Sequence, residues 1–317
     1  MNDAIDSANK AFLFPGQGAQ HVGMGKDFYD ASPAVRKLFD LADRVVATPL
    51  TKLCFEGPEE RLAETNICQP AIFTVSAAAL AVMTELLGEK MGKPACMAGL
   101  SLGEYTALYA AEAIDFESGL RLVARRGRLM QEAALAVPSG MVSVLGLDEP
   151  KAQKLCEAAS NGQILTCANF NCPGQIVLSG QIDACKRAAA MAKDFGAAGA
   201  VMLKVAGAFH SEIMAPAAEK FTEAIQSVEF ASPKVPVIAN VDAQPAADGD
   251  EIRTKLIRQL TSPVRWQQSM ENLLLQGVSS FFEIGPGRVL AGLMRRIDRN
   301  AVVTCVNSRE AIEELRQ

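Results

Sequence analysis

Apolar positions in the outer parts of this chain follow two different spacings. Short continuous apolar runs, which are typical of buried strands, occur at 11–14, 95–99, 235–241 and 280–284. Longer segments with apolar residues at helical spacing occur at 32–46, 70–90, 115–134, 210–228, 252–277 and 289–297. Strands that alternate with helices predict a mostly parallel sheet covered by helices on both faces.

Capping and breaking residues indicate where several of these segments begin and end. Ser32 before Pro33 predicts a helix start, because serine can accept a bond from a free amide and proline fits the first turn. Gly88 predicts the end of the apolar helix that begins at Pro70, and Pro263 predicts a break in the helical region near the carboxyl end. The apolar helix is expected to be buried on most of its sides.

The middle of the chain has a different pattern. Between 135 and 204 it predicts strand, helix, strand, strand, helix and strand, which is the βαββαβ order of a ferredoxin-like unit. We therefore predict an α/β fold in which residues 1–134 and 205–317 form a large, hydrolase-like subdomain with a mostly parallel sheet. Residues 135–204 form a small ferredoxin-like subdomain inserted into it, and the active site is expected in the cleft between the two.

Composition places the chain among ordinary globular proteins and argues against several function classes. It has 317 residues, of which 49% are hydrophobic and 21% charged, and this length suggests more than one core. The net charge of −5 does not suggest a nucleic-acid partner. The eight cysteines form no CxxC pair and there are only two histidines, so no metal site is predicted.

The apolar runs also bear on localisation. The first ten residues are polar and lack the apolar run of a signal peptide. The longest continuous apolar stretch, 71–83, is too short to cross a bilayer. The sequence therefore predicts a cytoplasmic protein without membrane association.

The string GLSLG at 99–103 is the strongest candidate for chemistry. It follows a predicted strand and precedes a predicted helix, which is the context of a nucleophile elbow. In that motif Ser101 projects from a sharp turn, and the amide of Leu102 faces an oxyanion that forms on the acylated serine. The alternative, a turn of small residues that packs a strand on a helix, stays open on this string alone.

A serine nucleophile needs a base, and histidine is the usual one. Of His21 and His210 we prefer His210, because it follows Ser101 in the chain and lies near a predicted strand end. No acidic residue stands out as a third member. The turn PGQG at 15–18 could supply a second oxyanion amide, and Arg126 could bind a substrate carboxylate if it points inward.

Eight segments extend these motifs along the chain in a fixed series. They are FLFPGQGAQHVGMG (12–25), QPAIFTVSAAAL (69–80), GLSLGEYTAL (99–108), RRGRLMQEA (125–133), NFNCPGQIVLSG (169–180), GAFHSEIMAP (207–216), RQLTSPVRW (258–266) and EIGPGRVLAGLMRRI (283–297). The series resembles the malonyl-CoA:acyl carrier protein transacylase family in content and order, and it covers nearly the whole chain. No single string is decisive, but the series is highly specific.

The resemblance implies a two-stage transfer. Ser101 takes the malonyl group from malonyl-CoA, and the phosphopantetheine thiol of acyl carrier protein then removes it. His210 acts as base and then as acid, and the amides of Gln17 and Leu102 form the oxyanion hole. The residues implied to bind substrate are Arg126, Gln259, Phe209 and Asn169. Within this set Arg126 binds the malonyl carboxylate.

Two further positions in the series bear on the chemistry beside the serine. Gln259 matches a family position near the histidine and arginine, which implies that neutral groups orient the imidazole and accounts for the missing acid. Leu100 departs from the family, which commonly has histidine before the nucleophile. That difference leaves the rate or the specificity toward other acyl groups open, but not the nucleophile.

The implied partners are malonyl-CoA and, transiently, acyl carrier protein, which brings its own phosphopantetheine. We expect no cofactor and a monomer. The alternatives are an acyltransferase that serves a polyketide synthase, a serine thioesterase or esterase, and a carrier-docking module without catalysis.

Overall fold

The computed structural model describes residues 9–316. The helices are α1 (Lys26–Ala31), α2 (Pro33–Val46), α3 (Leu50–Glu56), α4 (Glu59–Leu62), α5 (Thr65–Leu87), α6 (Gly103–Ala110), α7 (Phe116–Ala136), α8 (Glu149–Ser160), α9 (Ile182–Met191), α10 (Ala215–Gln226), α11 (Gly249–Gln259), α12 (Trp266–Leu275), α13 (Val289–Ile297) and α14 (Arg309–Glu314). The strands are β1 (Lys10–Phe14), β2 (Cys96–Gly99), β3 (Ser139–Leu145), β4 (Leu165–Cys172), β5 (Gln175–Gln181), β6 (Gly199–Met202), β7 (Val237–Ile238), β8 (Ser280–Ile284) and β9 (Val302–Val306).

The larger sheet consists of five parallel strands in the order β7-β2-β1-β8-β9. β1 lies in the centre and its five residues are all buried, as expected of a strand covered on both faces. The prediction of a mostly parallel sheet is confirmed. The predicted strand at 235–241 forms only the two residues of β7, because Pro236 cannot donate to the ladder and the chain turns after Ile238.

The smaller sheet has the order β4-β5-β3-β6, and all its pairs are antiparallel. With α8 and α9 between the strands, the chain follows the predicted βαββαβ order, which confirms the ferredoxin-like unit. Its strands lie between Ser139 and Met202. The subdomain boundaries at 134/135 and 204/205 stay a prediction.

Helix α5 runs through the main core and begins earlier than expected. It starts at Thr65, whose amide donates to Oε1 of Gln131 at 3.0 Å, so Pro70 lies inside the helix. The helical segment 65–91 is long and apolar enough to cross a membrane, so the apolar stretch predicted at 71–83 underestimates its length. Most of this segment is buried against other elements of the fold, and a buried core helix has the same length and composition.

Five short elements are absent from the predictions. They are α1, α3, α4, β9 and α14. The helices among them have four to seven residues, too few for a helical period to stand out. β9 is an edge strand of five residues, and its short apolar run VVTCV lies outside the predicted strands.

Two glycines allow β1, β2 and α6 to approach closely at the end of the sheet. A Cβ on Gly99 would lie 1.9 Å from the carbonyl carbon of Gly103. A Cβ on Gly103 would lie 2.1 Å from the carbonyl oxygen of Phe14. Because both contacts are with backbone, no side-chain rotation can relieve them, and the turn between β2 and α6 depends on these two glycines.

We expect Gly103→Ala to lower the free energy of unfolding by about 2 to 3 kcal/mol, because the added methyl group forces backbone apart. Gly292→Ala is the matched control: Gly292 lies on the exposed side of helix α13, and a Cβ added there would meet no atom within 4 Å. That change should raise stability by about 0.5 kcal/mol. Urea unfolding measures both, and equal effects at the two glycines would contradict the close-approach argument.

Candidate active site

Ser101 lies in the sharp turn between β2 and α6. Its φ of 51° puts a non-glycine residue in the left-handed region, a strain of about 1–3 kcal/mol that the surroundings must hold. Asn240 holds it: Oδ1 accepts the Ser101 amide at 2.6 Å, and Nδ2 donates to the carbonyl of Gly99 at 2.7 Å. This geometry fits the predicted nucleophile elbow.

His210 faces the serine from the loop after β6. Its Nε2 lies 2.8 Å from Oγ of Ser101, and its Nδ1 lies 2.7 Å from the main-chain carbonyl oxygen of Gln259. A carbonyl can only accept, so Nδ1 carries the hydrogen and Nε2 is free to accept the serine proton. Burial and the charge of Arg126 lower the pKa of His210 to about 4, so the imidazole is neutral at physiological pH.

Arg126 is completely enclosed beside this pair and only 1% exposed. Its Nη1 donates to Oε1 of Gln69 at 2.8 Å, and its Nη2 donates to Oγ of Ser101 at 3.0 Å and to Oε1 of Gln259 at 2.8 Å. The guanidinium also lies 5.3 Å from the ring centroid of Tyr105. Burial lowers its pKa, although arginine keeps its charge.

The charge of Arg126 has no close counter-ion in the part of the chain that the structure describes. Within residues 9–316, no carboxylate lies within ion-pair distance of it, and its buried Nε has no hydrogen-bond partner. A buried cation that is held by neutral oxygens and retains an unpaired donor is suited to bind an anionic group of a ligand.

Three residues that support this arrangement were missed by sequence reasoning: Gln69, Glu104 and Asn240. Glu104 is buried one turn after Ser101, and its Oε2 accepts from the Asn240 amide at 3.0 Å and from Nε2 of Gln259 at 2.7 Å. Burial raises the pKa of Glu104 to about 7, although these hydrogen bonds and Arg126 oppose the rise. The only signal available was that Gln69 and Glu104 belong to the strings QPAIFTVSAAAL and GLSLGEYTAL.

A cavity of about 230 Å³ opens onto Ser101 and His210. Its wall includes side chains from both predicted subdomains, and most are apolar. The lining residues are Gln17, Gln69, Leu100, Ser101, Leu102, Arg126, Met130, Met141, Asn169, Asn171, Gln175, Val177, Leu203, Val205, Phe209, His210, Val289 and Leu293. A space of this size with one cation in its wall suits a small anionic ligand.

The structure brings nearly all of the predicted site residues to this cavity. Gln17, Leu102, Phe209 and Asn169 line it with Ser101, His210 and Arg126, whereas Gln259 lies behind Arg126 and is fully buried. Leu100 lines the wall next to the serine. His21, the other histidine of the chain, is exposed and lies outside the cavity.

Residues 9–316 contain no cluster of three or more histidine, cysteine, aspartate or glutamate side chains that could hold a metal ion. The expectation that the protein uses no cofactor stays a prediction. The chemistry open to the described side chains is nucleophilic, with a serine, a neutral imidazole and an anion-binding arginine.

A serine in an elbow at the end of a parallel sheet, paired with a neutral histidine, is typical of enzymes that form acyl-serine intermediates. The comparison with known families agrees: the family described as acyl transferase domain matches residues 11–314. The chain therefore belongs to the acyl transferase domain family.

Individual relatives cover almost the whole chain. It is 44% identical over 304 residues to malonyl CoA-acyl carrier protein transacylase of Bacillus subtilis, which covers 96% of this chain and 95% of that protein. The solved malonyl CoA-acyl carrier protein transacylase of Coxiella burnetii superimposes with a TM-score of 0.93 at 40% identity, over 97% of this chain and 96% of that one. A malonyl-transacylase solved in complex with a type II polyketide-synthase acyl-carrier protein has a TM-score of 0.90 at 41% identity, over 97% and 98%.

Asn240→Ala tests whether the elbow depends on its side-chain support. The change leaves the Ser101 amide and the Gly99 carbonyl without partners, at about 1–3 kcal/mol for each buried group. We expect lower stability in urea unfolding and about tenfold slower labelling of Ser101 by a fluorophosphonate, since a looser elbow misplaces Oγ. Asn300→Ala, at an exposed site, is the control. If Ser101 is labelled at the wild-type rate in the Asn240 variant, the side chain of Asn240 does not hold the turn.

Proposed function

We propose that this chain transfers a malonyl group from malonyl-CoA to the phosphopantetheine thiol of acyl carrier protein, through a malonyl ester on Ser101. The observation that carries the proposal is the position of Arg126, a buried cation without a close counter-ion that contacts the nucleophile itself at 3.0 Å. Malonyl is a short acyl group with a free carboxylate, so it can reach the serine and pair with the guanidinium at once. The names of the similar proteins support the same substrate pair.

The first half-reaction forms the ester. Oγ of Ser101 attacks the thioester carbonyl while Nε2 of His210 takes the hydroxyl proton, and the tetrahedral intermediate then breaks its carbon–sulfur bond. The departing sulfur receives the proton from His210, so free coenzyme A leaves and the imidazole is neutral again.

The second half-reaction reverses these roles with a new thiol. Nε2 of His210 takes the proton of the phosphopantetheine thiol, and the sulfur attacks the ester carbonyl. The proton then returns to Oγ of Ser101 as the ester bond breaks, which leaves malonyl on the carrier and restores the enzyme. Each half-reaction exchanges one acyl bond for another, and no group outside the site is consumed.

The remaining cavity residues stabilise and orient the acyl group. The main-chain amides of Gln17 and Leu102 stabilise the oxyanion, because both residues line the cavity around Ser101 and the start of α6 favours negative charge. Gln259 holds Arg126 and His210 in place, and Phe209 and Asn169 shape the space for the acyl group.

The pathway, the localisation and the assembly state of the enzyme also belong to the proposal. Supply of malonyl units for fatty-acid elongation is our main assignment, and service to a polyketide synthase is the alternative, because one solved relative is a malonyl-transacylase in complex with a type II polyketide-synthase acyl-carrier protein. Cytoplasmic localisation, a monomeric state and a transient complex with acyl carrier protein stay predictions. A serine esterase or thioesterase would use the same pair with water as acceptor.

Mass spectrometry after brief exposure to malonyl-CoA tests the proposal directly. We expect a single malonyl adduct on Ser101, its loss when acyl carrier protein is added, and malonyl-carrier as the product. Ser101→Ala should form no adduct, because the attacking oxygen is missing. Free malonate as the main product would assign the protein to the hydrolases instead, and a wild type that forms neither adduct nor malonyl-carrier would favour the carrier-docking module.

Arg126→Ala tests the recognition of the carboxylate. Removing the guanidinium should cost malonyl transfer about 2 to 5 kcal/mol, because the buried carboxylate loses its charged partner, and transfer of acetyl should suffer less. The measurement is the ratio of kcat/KM for malonyl-CoA to that for acetyl-CoA. Arg128→Ala, an exposed arginine on the same helix, should keep the wild-type ratio. An unchanged ratio for the Arg126 variant would rule out its role in selectivity.

A further inference from the structure

Within residues 9–316, Glu104 is the one buried carboxylate that contacts the residues holding Ser101, His210 and Arg126 in place. Among the described residues, the acidic side chains that are buried are Glu104 and Glu283, and Glu283 instead accepts amides at the start of α13. Glu104 lies on the first turn of α6 and is 3% exposed. It takes no part in the proton transfers between Ser101, His210 and the two thiols.

The two hydrogen bonds of Glu104 lead to both members of the catalytic pair. Its Oε2 accepts the amide of Asn240 at 3.0 Å, and Asn240 in turn holds the amide of Ser101 at 2.6 Å. The same oxygen accepts from Nε2 of Gln259 at 2.7 Å, and the carbonyl of Gln259 holds Nδ1 of His210 at 2.7 Å. One carboxylate oxygen thus supports the nucleophile and the base from behind.

The amide of Gln259 also joins Glu104 to Arg126. Nε2 donates to Glu104 and to the carbonyl of Ser101 at 3.0 Å, while Oε1 accepts from Arg126 at 2.8 Å. A carboxylate only accepts and a guanidinium only donates, so the two charges fix the direction of this amide from opposite ends. Ionised Glu104 therefore compensates the buried cation across one side chain, and its charge acts favourably on Arg126.

We infer that Glu104 is a positioning residue for the transfer reaction, and that its ionised form holds Ser101, His210 and Arg126 in their reactive arrangement. The inference rests on the proposed function for the identity of the acyl donor. The contacts of Glu104 with the residues that hold Ser101 and His210 do not depend on which acyl group is transferred. Protonated Glu104 has lost the charge that compensates Arg126 and that strengthens both of its hydrogen bonds.

The pH dependence of the reaction follows from the groups around Glu104. The charged groups that act on it are Arg126 from α7 and Asp242 from the loop after β7, and Glu104 in turn acts on the pKa of Tyr105 beside it on α6. Desolvation dominates and raises the pKa of Glu104 to about 7, whereas that of His210 lies at about 4. Activity should therefore decline as the pH falls through about 7, well before His210 becomes charged.

The same shift has the opposite effect on stability. The pKa of Glu104 is raised on folding from an ordinary value of 4.5, so its contribution to stability is present below that value and is lost as the pH rises through about 7. A neutral amide at this position avoids the desolvation of a charge. Glu104→Gln should therefore unfold at pH 8 at the same or a higher temperature than the wild type, while it reacts more slowly.

The experiment compares Glu104→Gln with Glu112→Gln, a matched change at an exposed glutamate that follows α6. kcat/KM is measured from pH 5 to pH 9 with malonyl-CoA and acyl carrier protein, and with p-nitrophenyl acetate as a simple acyl donor. For Glu104→Gln we expect about tenfold lower kcat/KM at pH 8 with both donors, from the loss of a charge-assisted bond. Its acid limb should move from near pH 7 to below pH 6, and Glu112→Gln should keep the wild-type profile.

Several results would overturn the inference. They are an acid limb that stays near pH 7 in Glu104→Gln, wild-type kcat/KM at pH 8, or loss of folding in that variant, since a merely structural residue loses stability and activity together. Failure of the wild type to form a malonyl adduct, with normal reaction of p-nitrophenyl acetate, would refute the proposed substrate and leave this test intact. The two claims therefore fail separately.

Discussion

The burial of one positive charge organises the active site. Arg126 is almost without contact with solvent, and a buried ion is costly unless nearby charges or dipoles compensate it. Oxygens of Gln69, Gln259 and Ser101 accept hydrogen bonds from two of its nitrogens. The partial negative charges of these oxygens take the place of a close counter-ion. The guanidinium therefore stays charged, and a ligand carboxylate can still stabilise it further by forming an ion pair. The position of the catalytic serine is tied to this constraint, because Oγ is one of the three acceptors.

Backbone packing at the end of the parallel sheet places the serine within reach of that charge. Gly99 and Gly103 let β2 and α6 meet with almost no space between them, so the turn that carries Ser101 has little freedom. Asn240 then removes what freedom remains by bonding on both sides of the turn. The strained φ at Ser101 persists because these contacts leave the chain no relaxed alternative.

The fold and the reacting pair could be predicted from the sequence because both produce local sequence patterns. Apolar spacing marks each buried strand and the βαββαβ unit, a strand and a helix flank GLSLG, and the chain has only two histidines to choose from. The residues that hold this pair in place, such as Glu104 and Asn240, produce no such local pattern. Glu104 meets Asn240 and Gln259 across 136 and 155 positions of sequence, so their contacts exist only once the sheet and α11 are assembled. β9 and the short helices are missing from the predictions for a simpler reason, since elements of four to seven residues are too short for a period to stand out.

The use of a main-chain carbonyl in place of an acid suits a reaction that exchanges one acyl bond for another. A carboxylate beside His210 would raise its basicity and stabilise the imidazolium, which favours the attack of serine but slows the return of the proton to a departing sulfur. The carbonyl of Gln259 fixes the tautomer without adding negative charge, and burial together with the nearby charge of Arg126 keeps the pKa of the imidazole low. Protons then pass readily in both directions between histidine and the two thiols. The negative charge that compensates Arg126 lies on Glu104, which contacts His210 only through Gln259. From that position it supports the geometry of the site without stabilising the protonated imidazole directly.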